Sequence, residues 1–393
     1  MNMSKKKHIF IIGAKGIPAR YGGFEAFVDK LTKYRKSENI QYHVACIREM
    51  YADFEKEFIH NDALCFQINV PNIGPAKAIL YDCMALEYVI NYIKVNQIEE
   101  PIIYILACRI GVAIHGYKRK IKKLGGSLYI NPDGHEWLRA KWNRWIKMYW
   151  KYSEKQMVKF ADLSICDSQK MEEYIQKEYK KYTPNTQYIA YGADIGAAGD
   201  KKSFEEWAKE KEIMPQSYYL VVGRLVPENN YEIMIKAFMK TTTKKKLIII
   251  APKDKNPFYG TLLEKTDFIK DKKIQFVGTV YDKALLNEIR RNAYAYLHGH
   301  EVGGTNPSLL EAMSTTRLNL LLDVPFNKEV GKEGALYWKK EINSLQELIE
   351  EAEALSNEVL EEVGKKAVLQ IKERYSWDFI VDEYENLWNE RQR

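Results

Sequence analysis

Short apolar runs, most of them ending in a glycine- or proline-bearing loop, alternate with stretches of helical spacing in two series along this chain. A run that is apolar throughout has both faces buried, which a strand achieves inside a parallel sheet covered by crossover helices. The first series comprises residues 8–12, 42–46, 102–106, 127–130 and 163–166. After the first of these, Phe24, Phe27, Val28 and Leu31 fall at i, i+3, i+4 and i+7, the spacing of one helix face. The second series comprises 218–222, 247–250, 274–277 and 293–297. The pattern predicts a mixed α/β protein of two Rossmann-like halves joined near Tyr191-Gly192-Ala193-Asp194, with expected domains at 1–193 and 194–375. Residues 376–393 read as a last amphipathic helix able to pack back across either domain.

At 393 residues, 46% of them hydrophobic, the chain has ample material for two cores. The five cysteines are irregularly spaced with no C-x-x-C pair, so zinc and redox motifs are disfavoured and reduced thiols are expected. The apolar stretch 9–12 is cut short by Gly13 and Lys15, well below signal-peptide length. No other run approaches the roughly 18 residues that span a bilayer. The expectation is a cytoplasmic protein.

The net charge of +7 is unevenly placed: residues 1–193 hold 30 Lys and Arg against 20 Asp and Glu, and residues 194–393 hold 30 against 33. The excess gathers at Lys118, Arg119, Lys120, Lys122 and Lys123, and in 139–159, where Trp142, Trp145, Tyr149, Trp150 and Tyr152 alternate with basic residues. Bases interleaved with aromatics suit an anionic membrane surface or nucleic acid; a helix burying its aromatic stripe accounts for the same pattern. No nucleic-acid motif accompanies it. Peripheral docking at the inner face of the cell membrane is therefore expected, and no nucleic-acid partner.

Three loops carry chemistry. Gly13-Ala-Lys-Gly16 follows the first strand; Lys15 takes the place of the second glycine in G-x-G-x-x-G, so a dinucleotide fingerprint is disfavoured. Its glycines allow backbone to approach a substrate or phosphate, or simply serve a turn at positive φ. In Val222-Gly223-Arg224-Leu225, an arginine directly after a strand can bind a diphosphate bidentately. His298-Gly-His-Glu-Val-Gly303-Gly304-Thr305-Asn306-Pro307 ends in an N-cap and first-turn pair that opens a helix, and Glu311 lies just over one turn inside it, able to accept bonds from a vicinal diol. Together they read as a nucleotide-sugar site.

Gly223-Arg224-Leu225 with Pro227-Glu228, and the glycine-rich loop ending in Leu309-Leu310-Glu311-Ala312-Met313, resemble the group 1 (family 4) retaining glycosyltransferases of GT-B fold. The stretches 11–25, 131–137, 222–232 and 298–311 further resemble bacterial capsule and cell-wall rhamnosyltransferases, especially streptococcal ones. The resemblance implies two Rossmann-like domains facing a cleft, an N-terminal acceptor domain, a C-terminal nucleotide-sugar domain, and a C-terminal helix crossing back to the N-terminal domain. By position, Arg224 would grip the diphosphate and Glu311 the ribose. Gly303, Gly304, Thr305 and Asn306 would surround the sugar and phosphate, Gly13 and Gly16 would approach the same phosphate, and Asn229 would stand among the donor contacts. Two departures stand out. Asn229-Asn230 replace a usual lysine, and Gly303 takes the place of a usual glutamate, for which Glu301 is the neighbouring substitute.

The implied reaction is retaining transfer of L-rhamnose from dTDP-rhamnose to a lipid-linked saccharide acceptor, without metal or cofactor; no Asp-x-Asp motif is present. The leaving diphosphate accepts the acceptor's proton, so the protein's work is charge stabilisation and positioning. Asp133 and His135, in the loop after the 127–130 strand, are the further catalytic candidates beside Arg224; an Asp-Gly turn and a satisfied loop histidine are the structural alternative. A UDP-hexose donor, a GT-B-like sugar-nucleotide epimerase and a non-catalytic nucleotide-sugar-binding partner are the alternative functions.

Overall fold

The computed structural model describes residues 6–20, 22–138, 142–196, 198–302 and 305–390. The chain divides into two compact units, Met1–Tyr191 with Trp377–Arg393, and Gly192–Ser376. The two points where the chain passes between units lie side by side, for the Ala193 N–H donates to the Tyr375 carbonyl at 2.7 Å.

In the first unit the strands are β1 (Lys7–Ile12), β2 (Ile40–Ile47), β3 (Glu57–His60), β4 (Ala63–Ile68), β5 (Ile102–Leu106), β6 (Ser127–Asn131), β7 (Leu163–Cys166) and β8 (Thr186–Tyr188). They form one sheet in the order β3-β4-β2-β1-β5-β6-β7-β8, parallel throughout except for the β3–β4 pair. That hairpin turns through Asn61 and Asp62, both at positive φ, the conformation a two-residue hairpin loop requires. The second unit has β9 (Tyr218–Val222), β10 (Lys246–Ile250), β11 (Ile274–Gly278), β12 (Ala295–His298), β13 (Asn319–Leu322) and β14 (Leu336–Trp338), in the order β11-β10-β9-β12-β13-β14 and wholly parallel.

Both sheets thus run outward in one direction from their first strand and then restart on its other side. The reversal falls between β1 and β5 in the first unit and between β9 and β12 in the second. In open parallel sheets the loops at the carboxyl ends of these strand pairs diverge and leave a crevice where ligands bind. The central strands are buried on both faces, Ile9 to Ile12 and Tyr218 to Val221 being at most 2% exposed, which is why their sequences are apolar throughout.

Five strands, β3, β4, β8, β13 and β14, go beyond the sequence prediction. β3 is an edge strand with an exposed–intermediate alternation, and β8 and β14 have three residues each, too short to give a periodic signal. The run predicted at 293–297 pairs as a strand from Ala295 to His298. Its first residues instead enter the sheet, where the Tyr294 N–H donates to the Tyr218 carbonyl at 2.8 Å.

The last helix, Trp377–Asn389, belongs to the first unit and is held there by polar groups inside an aromatic contact. Trp388 Nε1 donates to Tyr42 Oη at 3.1 Å, and Tyr384 Oη lies 3.1 Å from Tyr104 Oη. The Glu385 carboxylate accepts from the N–H groups of Lys36 and Ser37 at 2.7 and 3.0 Å, which caps the chain leaving helix Gly23–Lys33. No described helix is long and apolar enough to cross a membrane.

Candidate active site

In the second unit the loops after β9 and β12, neighbours at the reversal point, are sewn to one another. Asn230 sits in the left-handed conformation at φ 55° and its amide donates to the Gly299 carbonyl at 2.9 Å and to Glu301 Oε2 at 3.3 Å. The Glu301 N–H donates to the Glu228 carbonyl at 3.1 Å. Asn229, expected among the donor contacts, is 3% exposed and spends its amide on the Arg224 carbonyl at 2.8 Å. It holds the loop that presents Arg224. The Arg224 side chain is exposed and makes no ion pair with any described residue, so its five N–H donors are available to a ligand.

Glu311 is held from behind. Arg290, at the end of helix Lys283–Arg291 and 2% exposed, places Nη2 2.7 Å from Glu311 Oε2 and 3.4 Å from Ser308 Oγ. Ser308 Oγ and Tyr296 Oη in turn donate to the Val222 carbonyl, at 3.3 and 3.1 Å, directly before Gly223-Arg224. The carboxylate of Glu311 is thereby joined through Arg290 and Ser308 to the end of β9, two residues before Arg224. The sequence does not single out Arg290. It lies in an ordinary Ile-Arg-Arg-Asn helix end, and only its burial distinguishes it from its exposed neighbour Arg291.

Asn306 opens helix Pro307–Met313 as expected of its residue type, with Oδ1 accepting from the N–H groups of Ser308 and Leu309 at 2.9 and 3.4 Å. Those two amides are thereby used within the chain, and Pro307 has none. The helix end contributes its dipole rather than free first-turn donors. Thr305 is 5% exposed, while Gly303 and Gly304 lie outside the described residues. Glu301, the substitute for the family's glutamate, pairs with Lys340 at 2.5 Å. His298 and His300 stack at 4.3 Å beneath the site. Burial holds both imidazoles neutral, and with the Arg224 charge nearby it lowers the pKa of His300 to about 3.

In the first unit the loop after β1 is tied at nearly every residue. Arg109, from the loop after β5, donates through Nη1 to the Gly13 carbonyl at 3.0 Å and to Asp82 at 3.2 Å. Tyr81 Oη donates to the Ala14 carbonyl at 2.8 Å, the Ile47 N–H to that of Lys15 at 2.8 Å, and the Lys15 N–H to Glu25 at 3.0 Å. The two glycines are required by packing against protein. A Cβ on Gly13, at φ 101°, would stand 2.2 Å from the Leu106 carbonyl oxygen, and one on Gly16, at φ 131°, would stand 2.6 Å from the Tyr51 ring. Only the exposed Lys15 side chain extends outward. Asp82 is fully buried, and desolvation, opposed by Arg109, raises its pKa to about 6.

Asp133 and His135 follow β6, two strands from β1, so the sheet brings them beside the Arg109 loop. Asp133 adopts φ 60° with its N–H donating to Asn131 Oδ1 at 2.8 Å, and its charge acts on Arg109. His135 packs on Tyr174 at 4.3 Å between centroids. Burial lowers its pKa; the Glu154 carboxylate opposes this and Lys151 adds to it. Glu154, 4% exposed, accepts from Tyr174 Oη at 2.6 Å and from Tyr179 Oη, while Lys151 lies over the Trp137, Tyr174 and Tyr179 rings. His135 thus rests on a built aromatic and charged base. Among the described residues, no group of three or more His, Cys, Asp or Glu is placed to hold a metal ion.

Residues 203–369 match the family model of glycosyl transferases group 1, and residues 6–194 match a domain of unknown function, DUF1972. No curated protein sequence matches the chain. Among solved structures, sucrose-phosphate synthase from Thermosynechococcus elongatus is similar at 15% identity over 98% of each chain, with a TM-score of 0.80. A glycosyltransferase from Rickettsia africae is similar at 14% identity over 98% of each chain, with a TM-score of 0.73. HepE from Anabaena, solved in complex with UDP-glucose, is similar at 14% identity over 97% of this chain and 99% of that one, with a TM-score of 0.69. These likenesses identify the fold as GT-B, two Rossmann-like parallel-sheet domains in one chain.

Proposed function

We propose that this chain, a GT-B protein whose second unit is a group 1 glycosyltransferase domain, transfers a sugar from a nucleotide donor with retention of anomeric configuration. The observation that carries this reading is the pairing of a cation with an anchored carboxylate: Arg224, on the loop after β9 and in no ion pair with any described residue, and Glu311, on the helix that follows β12 and held by the buried Arg290. An uncommitted guanidinium suits the two negative phosphates, and a carboxylate fixed from behind can accept both hydroxyls of a ribose. The second unit is thus the proposed donor domain, and the first the acceptor domain.

In the proposed step the bond from the sugar's anomeric carbon to the diphosphate oxygen breaks as the acceptor oxygen bonds to that carbon from the same face. The acceptor's proton passes to the departing phosphate oxygen. Arg224 offsets the charge that grows on the leaving group, which lowers the barrier because the site binds that state better than the ground state. Asp133 and His135 orient the acceptor hydroxyl or the donor sugar. The step uses no metal.

The proposed donor is dTDP-rhamnose and the acceptor a lipid-linked saccharide of capsule or cell-wall polysaccharide synthesis, on the resemblance of residues 11–25, 131–137, 222–232 and 298–311 to rhamnosyltransferases. The complex of the structurally similar HepE with UDP-glucose favours a UDP-hexose as the second reading. Thermal unfolding with a panel of dTDP- and UDP-sugars separates them: protection by dTDP-rhamnose alone supports the first, protection by UDP-hexoses alone the second. Absence of protection by any nucleotide sugar removes both. Conversion of donor with no acceptor present would identify an epimerase, and binding without transfer to any acceptor a non-catalytic partner.

A further inference from the structure

Helix Arg144–Phe160 has two unlike faces. One is seated in the first unit's core: Ser153, Glu154, Met157 and Val158 are at most 4% exposed, and Ser153 Oγ accepts the Gly111 N–H at 2.7 Å. On the other, Trp145, Met148 and Tyr152 are 76%, 54% and 49% exposed. Their spacing of i, i+3 and i+7 puts them in one line along the helix, and the exposed Lys155 and Lys159 continue it at the same spacing. The stripe runs about 21 Å at 1.5 Å per residue.

Basic groups stand beside this apolar line and continue it. Arg144 and Lys147 make no ion pair with any described residue. Two hollows open beside Met148. One of about 390 Å³ is lined by Trp137, Trp142, Arg144 and Lys147, and one of about 490 Å³ by Tyr152, Lys155, Lys181 and Tyr182. Among the described residues, the one carboxylate lining either hollow, Glu178, is paired with Lys151 at 2.9 Å. A tryptophan left three-quarters exposed on a helix so firmly anchored by its other face is not explained by packing within the chain. Tryptophan and tyrosine gain most at the headgroup level of a bilayer, where the ring is sheltered and its polar atom stays wet, and lysines around them meet anionic headgroups.

The geometry points to this face as a docking surface for an anionic phospholipid bilayer. Trp145, Met148 and Tyr152 enter the interface, and Arg144, Lys147, Lys155, Lys159 and Lys181 meet the headgroups. The surface differs from the basic cluster of helix Ile114–Lys123, part of which is already neutralised: Lys118 pairs with Asp162, and Lys120 with Glu87 at 2.5 Å. It rests on the proposed use of a lipid-linked acceptor for its purpose.

The test is co-sedimentation of the full chain with vesicles of phosphatidylcholine alone and of phosphatidylcholine with phosphatidylglycerol, with no sugar present. The expected result is binding to the anionic vesicles only. Partition should fall at least about tenfold in Trp145→Ser/Met148→Ser/Tyr152→Ser and in Arg144→Glu/Lys147→Glu/Lys155→Glu. Arg119→Glu/Lys122→Glu should lose less than either. Circular dichroism and thermal protection by nucleotide sugars, measured on the same preparations, should match the wild type, so loss of docking and failure of the donor reading are distinguishable. Equal binding to uncharged vesicles, wild-type partition in both triple variants, or a dimer in solution that the serine variant disperses would each overturn the proposal.

Discussion

The loops after β1 and after β9 occupy the same place in the same strand order, yet they are finished in opposite ways. After β1 the chain satisfies itself: Arg109 is spent on the Gly13 carbonyl and buried Asp82, and tyrosine, glutamate and backbone groups take the remaining loop atoms. After β9 the buried polar groups are spent on the loop's backbone and on Glu311, while Arg224 is left uncommitted. Topology supplies a crevice in both units. Whether it is filled by the protein or left for an anion depends on which side chains find internal partners.

The comparison makes glycine a sensitive probe. Gly13→Ala forces a Cβ to 2.2 Å from a backbone oxygen at a φ that alanine rarely adopts. It should cost roughly 4 kcal/mol or more of the first unit's stability, read as a lower midpoint in urea or heat. A melt within a degree or two of wild type would mean that the β1 loop is not locked. Gly223→Ala, by contrast, meets a side chain rather than backbone, the His300 ring at 2.9 Å, and its φ is not positive. It should cost about 1–3 kcal/mol, less than Gly13→Ala.

Arg224→Ala should reduce transfer by about 10²–10³-fold, the usual cost of losing one charge-stabilising donor group, with unfolding unchanged because the side chain makes no ion pair with any described residue. Arg224→Lys should recover only part of it, since an ammonium lacks the planar fork. A stability loss in Arg224→Ala would break the contrast between a committed and a free arginine. Arg290→Met acts through Glu311: the expected outcome is about tenfold weaker nucleotide-sugar binding together with a loss of about 2 kcal/mol in stability, seen by calorimetry and denaturant titration.

Asp82 gives a smaller, pH-dependent signature. Its folded pKa of about 6 lies above the unfolded value of about 3.9, so the native state holds the extra proton between those limits. Its contribution to stability is complete below about pH 4 and lost as pH rises through about 6, at about 1.4 kcal/mol per unit. Stability of the wild type relative to Asp82→Asn should therefore rise as the pH is lowered from 6 to 5 and stay flat above 7. A flat difference throughout would place the ionised carboxylate as the favoured native form.

Much of this organisation is legible in the residues because it follows from local rules. Uninterrupted Ile, Val and Leu runs allow little but buried parallel strands, and Asn306-Pro307 can hardly avoid opening a helix. The paired glycines of the first loop were legible as glycines but not for their reason: Gly16 is small because Cys46 and Tyr51, thirty and thirty-five residues ahead, pack against it. Asn229 reads in the sequence as a donor contact, and in the fold its amide braces the Arg224 carbonyl, which nothing in its neighbours foretells.

The sequence by itself determined the α/β class, the two series of strands, the Arg224 and Glu311 loops and the basic, aromatic character of 139–159, because periodicity, caps and charge are properties of adjacent residues. Only the tertiary structure decided that Arg290 is buried behind Glu311, that Arg109 is consumed by Asp82, and that Trp145 faces outward. Those outcomes depend on which distant groups meet and exclude water, and the same arginine or tryptophan is committed or free according to the partners that folding brings to it.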